Sequence, residues 1–469
     1  MIRCDAAIIG GGFSGSIVAA HLARMAGSGF SVRLFEEGEV GRGAAYGTRH
    51  REHVLNTRAH AMSAFPDDAD HFVRWLGARA QADDFVSRQL YGDYLVAIAR
   101  RAFERPGFAV VGDRVTAIAR SGEGFALETA SGARYGARAV VLATGNGTPN
   151  DDFLPPQLVA HPGYVGDPWR FNYRAVGGHV LLIGSGLTAL DVLVALEAGG
   201  HRGAVHIVSR HARFPEVHAE GLAACDVVPV LDPTDARSLL RSFRQQVRVA
   251  ARRGFDWRAV VDAVRPEGEA LWKRLNPTEQ RRFDRHLRAI WERHRHRAPG
   301  RVDAVRGRYA ASGRLFVYAG RIASFAAGEV SIAPAAGSRI ALRPDWIVNC
   351  TGPARNRRLF ADPLLANLRE AGLATPEQLG LGIRVDAAGA AIGTDGHAVP
   401  GLLVAGPLAR GSRFEATAVP ELPVMAQLAA ANVIRTLERA VPGGTAGQRS
   451  FYMAMPVGDL SHMVAALPQ

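Results

Sequence analysis

Apolar residues gather in short runs that end abruptly at glycine. AAII (6–9) runs into Gly10-x-Gly12-x-x-Gly15 and then into SIVAAHLA, whose apolar positions recur at helical spacing. A second run, SVRLF, ends at Glu36. The same order returns later: VLLI (180–183), Gly184-x-Gly186-x-x-Ala189, the apolar stretch LTALDVLVALEAG, and AVHIV leading into Ser209 and Arg210. Two further strands, AVVLA and WIVNC, end in Thr144-Gly145-Asn146 and Thr351-Gly352-Pro353. Near the C-terminus GLLVAGPLARG precedes FEATAVPELPVMAQLAAANVI, again a strand, a glycine turn and a helix. This alternation predicts an α/β chain with two Rossmann-like dinucleotide-binding domains.

Strand, glycines, helix and acidic residue in that order form a specific pattern. Glycine lets the backbone approach a pyrophosphate at a helix N-terminus, where unpaired N–H groups and the helix dipole favour negative charge. Glu36 then stands where a carboxylate accepts hydrogen bonds from ribose hydroxyls. Glu36 lies 26 residues after Gly10, and Arg210 lies 26 residues after Gly184. A cation in the acidic slot would pair with a 2′-phosphate, and Ser209 would add a hydroxyl. The second site is therefore expected to hold NADPH, with Ala189 fitting an NADP site and Arg213 assisting, and the first is expected to hold FAD because the Thr-Gly strands and the returning C-terminal segment follow the plan of two-dinucleotide flavoproteins. Ser14, Thr144 and Gly145, together with Gly406 and Thr417 in the returning C-terminal segment, complete the expected cofactor-binding set with the glycines.

The plan that results is that of a two-dinucleotide flavoprotein with a discontinuous first domain. Residues 1–170 and 350–469 form the FAD domain, and 171–349 the NADPH domain. A helical insertion at about 232–300 interrupts the latter as a lid or flank over the cleft.

Charge sharpens this picture. The chain carries a formal +12, and all of the excess lies between Arg237 and Arg308, with 20 Lys and Arg against 8 Asp and Glu. A solvated helical face and a local field that attracts a phosphorylated cofactor or anionic substrate both fit this segment, better than nucleic acid does. Arg295, His296 and Arg297 form its densest cluster, a candidate clamp for phosphates or an acidic substrate. His294 and His296 stand two apart and would diverge on a helix, so no metal site is expected. Cys4, Cys225 and Cys350 lie far apart, which argues against a disulfide framework and against thiol-based reductase chemistry, and points to the cytoplasm. No apolar run is long enough to span a bilayer, and the N-terminal run fits a strand and glycine loop better than a signal peptide.

GRGAAYG (41–47), HVLNTRAHAMSAFPDDADHFVRWL (53–76), RQLYGDYL (88–95), WERHRHRAP (291–299) and ATAVPEL (416–422) give the chain a resemblance. It resembles the FAD/NAD(P)-binding oxidoreductases that include aspartate N-monooxygenases and one type of FAD-dependent urate hydroxylase. The resemblance implies FAD reduced by NADPH, with molecular oxygen then forming a flavin hydroperoxide that hydroxylates a small polar nitrogenous molecule. HPGYVGDPWRF departs from the better-known flavin monooxygenases, with His161 and Asp167 in place of their Phe and His. Within LNTRAHAMS, Asn56 is a candidate for the flavin edge and Arg58 for a substrate carboxylate or anion. The rival expectation is a flavin reductase or electron-transfer enzyme whose basic segment docks an acidic protein partner. A third is a sensor that keeps both nucleotide sites without turnover.

Overall fold

The computed structural model describes residues 1–147, 149–222, 225, 231, 233–353, 359–419 and 421–439. Two sheets organise the chain, each a parallel core extended by antiparallel strands. The first draws on β1 (Ile2–Ile9), β2 (Val32–Phe35), β3 (Phe108–Val111), β4 (Val115–Ser121), β5 (Gly124–Thr129) and β6 (Arg134–Leu142). The second takes β7 (Tyr164–Val165), β8 (Val180–Ile183), β9 (Val205–Ser209), β10 (Leu315–Ala326), β11 (Glu329–Pro334), β12 (Ile340–Leu342) and β13 (Trp346–Asn349). β14 (Ala390–Ile392) and β15 (Ala398–Val404) then return to the first.

Strand order in the first sheet is β14-β15-β6-β1-β2-β3, with the β4–β5 hairpin sharing an edge of β6 with β15. The second runs β12-β11-β10-β9-β8-β13-β7. Residues 6–9 of β1 and all of β8 are apolar and buried, as parallel strands between helical layers must be. The helix Phe13–Met25 packs over β1 together with Arg88–Phe103 and the C-terminal helix Glu421–Arg439. Leu187–Ala198 and Gly300–Ala311 cover β8 in the same way. The discontinuous two-dinucleotide architecture is thus the one the sequence predicts.

The boundary moves, however. β7 pairs with β13 in the second sheet, and Leu154 and Leu158 pack into that sheet's core. The chain therefore crosses between sheets near Asn150, some way before residue 170. It crosses back beside itself: Pro149 bridges Pro353, and the Asn150 N–H donates to Gly352 O at 3.1 Å. The Asn349 side chain, buried, donates to Asn150 O at 3.1 Å and ties the two passages together. Sequence alone places the boundary late because a two-residue strand carries almost no periodic signal.

The expected helical insertion is present. Ala236–Arg252, Trp257–Val264, Gly268–Arg274, Pro277–His286 and Arg288–Arg295 follow one another between β9 and Gly300–Ala311. Its two ends meet at a neck, where Val217 bridges Ala298. Side-chain caps start several of its helices, among them Asp235, Asp256 and Asn276. The insertion docks on the C-terminal part of the first module: the Trp272 indole donates to Gly411 O at 3.2 Å, and Arg413 pairs with Glu269 at 2.7 Å.

Candidate functional site: two glycine turns at the ends of β1 and β8

Both turns begin with a glycine that no other residue could replace without strain. Gly10 has φ +99° and Gly184 φ +113°. A Cβ at Gly10 would stand 2.5 Å from Ala143 O, and one at Gly184 would stand 2.5 Å from Cys350 O. The neighbour across the sheet is thus the strand that ends in Thr-Gly in each case. The backbone repeats bond for bond: Ala143 N–H donates to Ile9 O and Cys350 N–H to Ile183 O, both at 2.8 Å. Thr144 is exposed beside the first turn, and Gly145, like Gly352, has positive φ.

The two turns differ in what surrounds them. A Cβ at Gly12 would lie 3.3 Å from the Gly43 Cα, and the Gly41 N–H donates to Gly11 O at 2.7 Å, so residues 41–43 cover the first turn. Gly15 meets Gly10 O at 1.9 Å from its ideal Cβ, whereas Ala189, its counterpart, is fully buried with its methyl accommodated. Around Gly186 there is open space. From the other side the C-terminal segment closes on the first turn: Gly406, at φ +96°, admits the buried Ser14, whose Oγ would be 2.4 Å from a Cβ there. Thr417 follows in that segment, partly exposed, its N–H donating to Glu415 O at 2.6 Å.

Glu36 is where the sequence places it. Its carboxylate accepts from Gly11 N–H at 2.8 Å and from Gly38 N–H at 3.0 Å, at the mouth of the first turn. The matching position of the second unit requires a correction. Strand register sets Ile9 opposite Phe35 and Ile183 opposite Val208. Phe35 follows Gly10 by 25 residues and Val208 follows Gly184 by 24, because the second helix is 12 residues long against 13. Ser209, not Arg210, is therefore the counterpart of Glu36. Its Oγ meets Ser185 Oγ at 2.8 Å and accepts from Ala212 N–H at 3.0 Å. Arg210 and Arg213 stand next to it, exposed, their guanidinium groups without hydrogen-bond or ion-pair partners among the described residues, while the Arg213 carbonyl accepts from Ser185 Oγ at 2.7 Å. The acidic slot is vacated, and two unpaired cations border it.

The loop 53–60 lies where the two modules and the insertion meet. His53 bonds Thr48 Oγ1 at 2.9 Å and, through Nε2, Asp191 O at 3.1 Å. Arg88 reaches the same residue, its guanidinium 2.8 Å from the Asp191 carboxylate, with both groups largely buried. Burial raises the Asp191 pKa against the pull of Arg88, and burial also lowers His53 to about 3. His218 donates to Asn56 O at 2.9 Å, leaving the Asn56 amide without a hydrogen-bond partner among the described residues. Arg58 is engaged: it donates to Asp83 O at 2.7 Å, pairs with Glu220 at 3.0 Å and lies over the Phe85 ring.

The cluster 295–297 is not an open clamp. Arg297, buried, holds Asp262 through two contacts of 2.6 and 2.7 Å; His296 Nε2 lies 2.9 Å from Glu292; and Arg295, buried, faces Glu415 at 3.6 Å. Glu415 also accepts from the Trp291 indole at 2.6 Å, and nearby Arg265 grips Glu421 with both oxygens at 2.5 Å. Charges this deep in the protein persist only when paired: Arg297 and His296 find partners within the insertion, while Arg295, Trp291 and Arg265 join it to the C-terminal segment. That is why WERHRHRAP and ATAVPEL, far apart in sequence, are adjacent in space.

The three thiols are free and buried. Burial pushes Cys4 up to about 11 and Cys350 higher still, so neither is poised as a thiolate. Among the described residues no group of three His, Cys, Asp or Glu could hold a metal ion, and no helix is long and apolar enough to cross a membrane.

Comparison with known proteins agrees with this geometry. Residues 7–147 match the family model described as FAD-NAD(P)-binding. The match runs from within β1 through β6 and includes the first glycine turn. No curated protein matches the sequence. Among solved structures, the chain is similar to the ornithine hydroxylase of Pseudomonas aeruginosa, at TM-score 0.60 and 16% identity over 93% of this chain and 100% of that one. It is also similar to the bacillithiol disulfide reductase of Staphylococcus aureus (TM-score 0.57, 12% identity, 94% and 100% covered). The thioredoxin reductase of T. acidophilum follows (TM-score 0.52, 14% identity, 93% and 100% covered). At these identities the likeness is one of fold, and the fold is that of the two-dinucleotide flavoproteins.

Proposed function

We propose that the protein is a cytoplasmic NADPH-dependent FAD monooxygenase that hydroxylates a small polar nitrogenous substrate, an amino-acid amine such as that of aspartate or a purine such as urate. The observation that carries the reading is the asymmetry of the two turns: a carboxylate stands at the mouth of the first, and Ser209 with Arg210 at the mouth of the second. A carboxylate suits ribose hydroxyls, whereas a hydroxyl beside a guanidinium suits a 2′-phosphate. The ornithine hydroxylase and the disulfide reductases share the fold, and thiol–disulfide chemistry needs a thiolate that a disulfide can reach. Here every thiol is buried and single.

FAD, when bound, supplies hydride acceptance and the transfer of one oxygen atom from molecular oxygen. The residues that would hold it are Gly10 and Gly12, which would bring backbone amides to the pyrophosphate, Glu36 for the ribose, and Asn56, whose side-chain amide would meet the ring edge. Gly184, Gly186, Ser209 and Arg210 would hold NADPH. Arg58 would take a substrate carboxylate by exchanging it for Glu220. The protein's part in the chemistry is orientation and exclusion of water, which suits a site closed by residues 41–43 on one side and by the C-terminal segment on the other.

Purified protein supplied with NADPH in air tests the reading. Flavin absorbance, NADPH oxidation and oxygen uptake that rise with aspartate or urate, together with the oxygenated product, are the expected result. Flavin reduction that responds to an added electron acceptor and to neither compound would favour a reductase serving a protein partner.

A further inference from the structure

The insertion, together with Phe414 of the C-terminal segment, forms a half-open cavity of about 520 Å³ whose lining includes no residue of either glycine turn. That volume lies in the range of small-molecule sites. Phe243 and Val247 form one wall, Val261 and Leu271 another, and Ile290 and Phe414 close the far side. Four polar groups in the wall are already engaged: His294 Nδ1 donates to Ile290 O at 2.7 Å, Glu216 is paired with Arg293, and the Trp272 and Trp291 indoles donate to Gly411 O and Glu415. An interior of this kind has nothing to offer a polar guest.

The mouth is different in character. On the helix Ala236–Arg252, Leu239, Phe243 and Val247 recur every four residues and face the cavity. Leu240, Arg244 and Arg248 form the adjacent row, which also borders it. Arg244 and Arg248 are exposed, lie one turn apart, and have no hydrogen-bond or ion-pair partner among the described residues. Residues so spaced on a helix are neighbours, close enough for one anionic group to meet both guanidinium groups.

We infer that the insertion is a binding site for an amphipathic anion, a molecule with a bulky apolar body and one anionic headgroup. The body fills the Phe243–Val261–Phe414 cavity and the headgroup sits between Arg244 and Arg248. The opposite wall reports on occupancy, because Trp291 lines the cavity and also donates to the buried Glu415. The site is separate from both nucleotide turns, so it stands whether or not the redox reading does.

The test uses the full chain with FAD and NADP⁺ at saturating concentration, so that the glycine turns are occupied. The anionic dye 1-anilinonaphthalene-8-sulfonate is titrated while its fluorescence is followed. One saturable site is expected, displaced by dodecanoate and far less by dodecanol. Arg244→Gln with Arg248→Gln weakens the dye by about tenfold, the loss expected for one charge-assisted contact, and leaves neutral N-phenyl-1-naphthylamine bound as before. Val261→Trp fills the cavity and weakens both probes. Non-saturable binding, or saturable binding that the surface arginine pair does not move, overturns the site. The arginine variants change only exposed side chains, so their result stands even where Val261→Trp perturbs folding.

Discussion

The first glycine turn and the second share the strand hydrogen bonds that frame them, yet one is roofed and the other is open. Gly12 is pressed by Gly43, and Gly15 by Gly10 O, while Gly186 faces empty space and the third glycine has become Ala189. The same turn can therefore serve two kinds of occupancy. A roofed turn suits a cofactor that stays, and an open one suits a cofactor that must leave after each hydride transfer.

The sharpest way to break this comparison is to exchange the third positions. Gly15→Ala forces a methyl to 1.9 Å from Gly10 O and is expected to yield insoluble or flavin-free protein, read by the flavin absorbance of the purified chain. Ala189→Gly costs about 1 kcal/mol in helix propensity and leaves flavin content unchanged. The first positions come next. Gly10→Ala and Gly184→Ala suffer the same clash, but the former should lose flavin, whereas the latter should keep it and raise the KM for NADPH at least about tenfold. A flavin-free Gly184→Ala protein would refute the division of labour between the turns.

Ser209→Glu restores in the second unit the carboxylate that Glu36 provides in the first. Steady-state kinetics should show kcat/KM for NADPH falling by about a hundredfold, with NADH gaining relative to it, and Arg210→Ala should cost about tenfold for NADPH alone. Equal use of both coenzymes by the parent protein would sink the assignment.

The smallest effect concerns the buried histidines, one of which, His53, lies between the modules. His53, at about 3, and His21 and His218, at about 4, are held neutral by burial. An unfolded histidine takes up its proton near pH 6.5 while these do not, so stability is full above that pH and declines as pH falls toward 3 to 4. Each contributes at most about 1.4 kcal/mol per pH unit. The melting temperature should drop between pH 7 and 5, and His53→Gln should flatten that slope.

The glycine turns, the Thr-Gly strands and the basic insertion were legible because each rests on local rules: a strand period, a forced backbone angle, helical spacing of apolar residues. What depended on counting through a helix went astray by one residue at Ser209, since loop and helix lengths drift between units that share a sheet register. The cationic cluster 295–297 misled for another reason. Sequence gives the charges of one segment and hides their partners, here Asp262, Glu292 and Glu415, the last more than a hundred residues away. Asp191 was the readable signal that went unused, an acid inside the apolar run LTALDVLVAL that could only be buried with a cation, and Arg88 is that cation.

The paired passages at Asn150 and Gly352 set how the two sheets can move. A domain tethered by one strand swivels like a ball joint, but two strands bonded side by side form a ribbon, which bends across its width and resists twisting. Any opening between the two turns has to bend this ribbon and to part the Arg88–Asp191 pair that also spans the two modules.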